Sequence, residues 1–269
     1  MTGHIDRIVD SFIGKNQSEV GMLRLDKIHP ILSGNKYFKL KYYLEDAINN
    51  KKDTVVSFGG YYSNHLHATA YACKQAGLHS IRYIRGTEPP VLNDTLKDCI
   101  KFGMELKFVP TTAFEHTQHE WILRTTENFQ CIPMGGNGLL GIQGASEILR
   151  FETAKTYDYI IASAGTGTTA AGLLQKLNPH QQLILMSAVK NNFSLIDEII
   201  NLESSLSIKR NQLSVFWDFH CGGFGKSNEE LIHHMNWFYK EHRIETDFVY
   251  TGKMMLGFYE LLKLSLIHI

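Results

Sequence analysis

Short apolar runs and helix-patterned stretches take turns along this chain, and few folds accept that alternation. Thr54-Val55-Val56-Ser57-Phe58 is a β-branched, apolar run ending at Gly59-Gly60, as a buried strand running into a turn would be. Residues 64–76 carry a helical pattern that Gly77 stops. Ser80-Ile81-Arg82-Tyr83-Ile84 reads as the next strand, and 93–102 as a helix capped by Asn93 or Asp94. Leu106-Lys107-Phe108-Val109 reads as a strand closed by Pro110, and 114–129 as a helix. The second half repeats the theme, with helices over 141–155, 167–177 and 229–242 and strands over 157–162, 183–186 and 213–217. Parallel strands need long crossovers, and helices supply them. The expected fold class is α/β, with largely parallel sheets flanked by helices. Ligands of such sheets bind at the carboxyl ends of strands.

The bulk properties narrow the function classes. A chain of 269 residues suits one large domain or two small ones. With 43% hydrophobic and 20% charged residues it is globular rather than disordered. The formal net charge is zero, so no general attraction to nucleic acid or an anionic membrane is expected. No apolar run approaches a membrane span, and Met1-Thr2-Gly3-His4-Ile5-Asp6 lacks the apolar core of a signal peptide. The expected location is cytoplasmic. Cys73, Cys99, Cys131 and Cys221 have neither metal-ligand nor redox spacing, so they read as reduced structural thiols. The histidine pairs 65/67, 116/119 and 233/234 lack accompanying ligands, and no metal site is expected.

Three constellations carry chemistry. Ser33-Gly34-Asn35-Lys36-Tyr37-Phe38-Lys39 places a lysine at the mouth of a helix. Desolvation and neighbouring positive charge lower an amine's pKa, and the macrodipole adds positive potential there. Lys36 and Lys39 could share the work of aldehyde partner and phosphate contact, or be two solvated helix lysines. Gly59-Gly60-Tyr61-Tyr62-Ser63-Asn64-His65 runs a strand into a helix start, where backbone N–H groups favour a carboxylate or phosphate. An ordinary Ser or Asn cap explains the same residues. Ala164-Gly165-Thr166-Gly167-Thr168-Thr169 follows an apolar strand and opens a helix, a composition suited to closing around an anion. It lacks the Gly-Lys-Ser/Thr ending of a P-loop and the third glycine of a dinucleotide fingerprint, and a plain tight turn is the alternative. Near the end, Asp247-Phe248-Val249-Tyr250-Thr251-Gly252-Lys253 reads as a strand-turn-helix junction with Tyr250 and Thr251 as polar candidates. Glycine-rich 134–138 is the best candidate for a domain crossing.

Together these motifs resemble the 1-aminocyclopropane-1-carboxylate deaminase and D-cysteine desulfhydrase family, of the tryptophan-synthase-β-like, fold type II pyridoxal-phosphate enzymes. The resemblance runs from about residue 23 to 262. It implies pyridoxal 5'-phosphate as cofactor, a small amino acid as substrate, and a homodimer. It also implies a large cofactor-binding domain over 1–40 and 140–269 and a smaller α/β domain over 41–139. Carried over by position, Lys36 is the Schiff-base lysine and proton carrier, and Lys39 a phosphate contact. Ser63 is the catalytic serine, and Asn64 lies beside the cofactor's ring hydroxyl. Ser63, Asn64 and His65 hold the substrate carboxylate. Gly165, Thr166, Gly167, Thr168 and Thr169 hold the phosphate. Tyr250 is an active-site tyrosine.

Departures from the family pattern separate its members. The cyclopropane-opening deaminases carry a glutamate after that tyrosine, facing the pyridine nitrogen, where this chain has Thr251. A neutral partner makes the cofactor a weaker electron sink. They also carry a second tyrosine where this chain has Phe224. Both changes favour α,β-elimination of D-cysteine to pyruvate, ammonia and hydrogen sulfide, a lyase reaction, over ring opening to 2-oxobutanoate. The family also continues past the helix starting near Gly252, whereas Leu264-Ser265-Leu266-Ile267-His268-Ile269 matches nothing in its pattern. The chain is therefore expected to be C-terminally truncated, and an inactive fragment is a further alternative.

Overall fold

The computed structural model describes residues 4–15, 19–124, 128–150 and 156–264. The tail from Ser265, expected to depart from the family pattern, lies outside the described residues. In chain order the elements are β1 (Ile5–Ile8), α1 (Ser11–Lys15), β2 (Val20–Leu23), α2 (Asn35–Asn49), β3 (Thr54–Gly59), α3 (Asn64–Ala76), β4 (His79–Arg85), α4 (Asp94–Lys101), β5 (Met104–Val109), α5 (Thr111–Leu123), β6 (Phe129–Ile132) and α6 (Leu139–Ser146). They continue with β7 (Tyr159–Ala164), α7 (Thr168–Lys176), β8 (Gln182–Ser187), α8 (Leu195–Leu202), β9 (Leu213–Phe216), α9 (Glu229–His242) and α10 (Thr251–Lys263).

The chain divides into two units. One is continuous, from Leu25 to Ala145. The other joins the residues up to Arg24 to those from Ser146 onward. The glycine-rich stretch 134–138 lies inside the first. Each unit holds a parallel sheet, the expected α/β class.

In the continuous unit the strand order is β5-β4-β3-β6. β3 is central, and Val55 to Gly59 are buried on both faces, as a doubly covered parallel strand requires. It pairs with β4 from Thr54↔His79 to Gly59↔Ile84 and with β6 from Thr54↔Phe129 to Ser57↔Ile132. α3 starts at the cap Ser63 and ends at Gly77, which takes φ 69°. The Gly77 N–H reaches Lys74 O, and the Leu78 N–H reaches Cys73 O, so the last carbonyls of α3 are satisfied. Leu40 and Tyr43 of α2 pack with Val55, Ala68, Ala72, Cys73 and Ile132 into one buried cluster.

In the discontinuous unit the order is β7-β8-β9, all parallel, with β1 and β2 as a separate antiparallel pair. α10 is its buried centre, with Met255, Phe258, Tyr259 and Leu262 packed on Ile8, Ile13 and Phe238. Among the described residues no helix is long and apolar enough to cross a membrane.

The structure differs from the sequence reading at three places. The helix expected over 114–129 covers Thr111–Leu123, and Phe129 belongs to β6. β6 is four residues long, and its Phe129 stacks edge-on against Trp121 of α5 at 4.8 Å, so one aromatic cluster hides the change of element. The helix expected over 141–155 is α6 followed by a 3-10 turn at Glu147–Arg150; residues 151–155 lie outside the described residues. Residues 248–250 form a turn rather than a strand before α10.

Candidate functional site

In the continuous unit, α2 begins after Gly34, which takes φ 64° and provides no side-chain cap. Lys36 falls in the first turn and Lys39 one turn further on. Lys39 is 5% exposed, and its Nζ donates to the Gly135 carbonyl. Burial, then the Lys36 charge, lowers its pKa to about 7. Gly135 and Gly136 both take positive φ, which lets residues 134–136 turn tightly beside α2. A Cβ at Gly136 would lie 3.2 Å from His65 Cε1 and 3.5 Å from Lys39 Cβ. Lys39, His65 and this turn therefore meet.

His65 is 4% exposed, and neither ring nitrogen has a hydrogen-bond partner among the described residues. Burial, then the charges of Lys39, Lys36 and Arg82, holds its pKa well below the usual histidine value. The ring is neutral at pH 7. Ser63 caps α3, its Oγ accepting the Leu66 N–H at 3.4 Å. Asn64 and His65 occupy the first two helical positions, and their N–H groups have no acceptor among the described residues. Asn64 is exposed, and Ser63 is half-buried.

In the discontinuous unit, β7 ends at Ala164 and α7 begins at Thr168, with no side-chain cap at Gly167. Gly167 takes φ 78°, and a Cβ there would lie 2.9 Å from Ile199 of α8. α8 thus packs under the loop, a support that the sequence reading missed. Thr168 is fully buried, and its hydroxyl lies 3.4 Å from that of the exposed Thr166; Thr169 is half-buried.

The same unit brings the loop to Tyr250. A Cβ at Gly165 would lie 3.1 Å from Tyr250 Oη. Burial, then the Asp247 charge, pushes the Tyr250 phenol up to about 12, so it keeps its proton at neutral pH. The exposed Phe224 ring meets the Tyr250 ring edge-on, with centroids 5.7 Å apart. Thr251 is exposed, and its hydroxyl donates to Asp247 Oδ2 at 2.6 Å while accepting the Asp247 N–H at 2.8 Å. Asp247 Oδ1 also accepts the N–H groups of Val249 and Tyr250 at 2.9 and 2.7 Å. Buried Lys253 donates to the Gly223 carbonyl at 2.7 Å, beside Phe224. The sequence reading quoted Asp247 and Lys253 without giving them a role. The D-x-x-x-T spacing at a helix start is the signal that could have found Asp247.

A family model described as pyridoxal-phosphate dependent enzyme matches residues 14–267. Among solved structures, the chain is similar to an ACC deaminase homologue, with TM-score 0.82 and 24% identity over 98% of this chain and 86% of that one. It is also similar to a hydrogen-sulfide-producing enzyme from Fusobacterium nucleatum, with TM-score 0.68 and 14% identity over 98% of this chain and 88% of that one. A fungal L-serine ammonia-lyase from Rhizomucor miehei gives TM-score 0.66 and 15% identity over 99% and 87%. At these identities the similarity is one of fold.

Proposed function

The chain belongs to the pyridoxal-phosphate-dependent enzyme family, and within it we propose an α,β-elimination from a small amino acid with a leaving group on Cβ. D-cysteine is the first candidate; with one water it gives pyruvate, ammonia and hydrogen sulfide. Pyridoxal phosphate, when bound, supplies an electron sink that acidifies the amino acid's α-carbon. The residues present fit that group. Two lysines stand one turn apart at a helix start, the second buried with a pKa near 7. A glycine-threonine turn opens α7 with no side chain of its own as cap, suited to a phosphate.

Lys36 would carry the cofactor and move the proton at the substrate's α-carbon. Lys39, its pKa lowered by burial and by Lys36 to about 7, would contact the phosphate. Gly165, Thr166, Gly167, Thr168 and Thr169 would bind that phosphate through backbone N–H groups and hydroxyls. Asn64 would lie beside the cofactor's ring hydroxyl. Ser63 and the N–H groups of Asn64 and His65 would hold the substrate carboxylate, with the neutral His65 ring adding no charge of its own. Tyr250, protonated at neutral pH, would donate toward the departing sulfur. Phe224 would close the site beside it without offering a second phenol.

Thr251 carries the choice of reaction. It stands where the ring-opening members resembled by this chain carry a glutamate, and its proton is already given to Asp247. A neutral partner leaves the cofactor a weaker electron sink, sufficient for expelling a thiol. The test is to load the purified protein with pyridoxal phosphate and add D-cysteine. Release of sulfide and pyruvate in equal amounts is expected, and Lys36→Ala should abolish both, together with the visible absorption of the bound cofactor. Release of 2-oxobutanoate from 1-aminocyclopropane-1-carboxylate, with no sulfide from D-cysteine, would overturn this reading in favour of ring opening.

A further inference from the structure

The turn that leads from β3 to α3 is held from outside itself. Residues 60–62 separate Gly59, the last residue of β3, from the cap Ser63. Inside the turn there is one weak bond, from the Ser63 N–H to the Gly60 carbonyl at 3.3 Å. The Gly60 carbonyl also accepts from the buried Arg82 guanidinium on β4. The Tyr61 carbonyl accepts from Asn93 Nδ2 at 3.1 Å.

Asn93 uses both ends of one amide. Its Oδ1 accepts the Leu96 N–H at 2.9 Å and so caps α4. Its Nδ2 reaches back across 32 residues of sequence to the turn. The two neighbours agree on the orientation of the amide, since one is a donor and the other an acceptor. Aspartate or serine would cap α4 as well, but neither offers that outward N–H.

We propose that Asn93 is a positioning residue for the substrate carboxylate, holding the 60–62 turn so that the Asn64 and His65 N–H groups at the start of α3 stay available to it. This rests on the reading of Ser63, Asn64 and His65 as the carboxylate site. Gly60 and a single internal bond leave the turn more alternative states than a turn without glycine would have, and Asn93 narrows them together with Arg82 and with the Tyr61 hydroxyl, which donates to the Thr87 carbonyl. A turn that is competent only part of the time weakens binding in proportion to the lost fraction. Asn93 therefore acts on affinity for the carboxylate and leaves the proton transfers alone.

Asn93→Asp and Asn93→Ser keep the α4 cap and remove the donor to Tyr61. The holoenzymes are titrated with glycine and glycinamide, both achiral and without a leaving group, following the visible absorption of the cofactor. Wild type should bind glycine more tightly than glycinamide. Both variants should bind glycine about two- to tenfold more weakly, the worth of one hydrogen bond, with glycinamide affinity and the cofactor band unchanged. Their melting temperatures should lie within about 4 °C of wild type. Unchanged glycine affinity in the variants, or equal losses for glycine and glycinamide, would overturn the role of Asn93. Equal affinities of wild type for the two ligands would instead sink the carboxylate site itself. If Asn93→Asp fails to fold because its carboxylate faces the Tyr61 carbonyl, Asn93→Ser decides alone.

Discussion

Lys39 is a lysine that folding strips of much of its charge. Its pKa falls from 10.5 to about 7, chiefly through burial and then through Lys36. Between those values the unfolded chain holds a proton that the folded chain has released, so stability rises with pH across that window. Below pH 7 the folded state binds the proton too, and the penalty is complete. The urea midpoint of the cofactor-free protein should therefore be higher at pH 8.5 than at pH 7. Lys39→Met keeps the bulk and removes the titration. The difference between the two proteins isolates Lys39 from the thiols and phenols that also respond above neutrality. An identical rise in the variant would show that the proton is lost elsewhere. His65 acts with the same sign at lower pH. Its folded pKa lies well below 6.5, so stability is lost as pH falls through the ordinary histidine range.

At the scale of elements, α2 and α6 approach until backbone meets backbone. A Cβ at Gly144 in α6 would overlap the Phe38 carbonyl of α2, which no rotamer change can relieve. Gly144→Ala should cost about 1–3 kcal/mol, the usual penalty of overpacking, and it should displace the helix that carries Lys36. Urea denaturation measures the first, and loss of the visible cofactor absorption the second; wild-type values for both would show that the helices slide apart freely. The sequence revealed elements where local chemistry marks them. β3, β4 and β5 are apolar or β-branched runs bounded by glycine or proline, and α3 has Ser63 and Gly77 at its ends. It hid β6, too short to show a period. It also hid α8, whose role under Gly167 is a packing relation rather than a pattern. The helix starts that carry Lys36, Ser63 and Thr168 were legible for the same local reason. Asn93 on Tyr61 and Lys253 on Gly223 were not, because such bonds join residues 30 or more apart through a backbone carbonyl, which has no sequence signature.

Over the whole molecule, the discontinuous unit depends on contacts of very long sequence separation. Asp10 caps α1 through Oδ1, accepting the N–H groups of Phe12 and Ile13 at 2.8 and 2.7 Å. Its other oxygen accepts the Tyr259 hydroxyl at 2.5 Å, 249 residues away, and lies 3.3 Å from His242 Nε2 at the end of α9. One carboxylate thus ties α1 to α9 and α10. Burial and the Asp10 carboxylate raise the Tyr259 pKa, so the phenol remains a donor throughout the working range. Its ring stands edge-on to Trp237 at 5.0 Å and tilted against Phe12 at 5.9 Å. Tyr259→Phe keeps these ring contacts and removes the O–H alone. It leaves a buried carboxylate oxygen with a weaker set of donors, which should cost about 1–3 kcal/mol in urea denaturation. Asp10→Ala removes the helix cap as well and should cost more. Closing a loop of this length is entropically expensive before its contacts form, so both substitutions should act mainly by speeding unfolding, with refolding rates little changed. A Tyr259→Phe protein as stable as wild type would mean that ring packing alone holds α1 against α10.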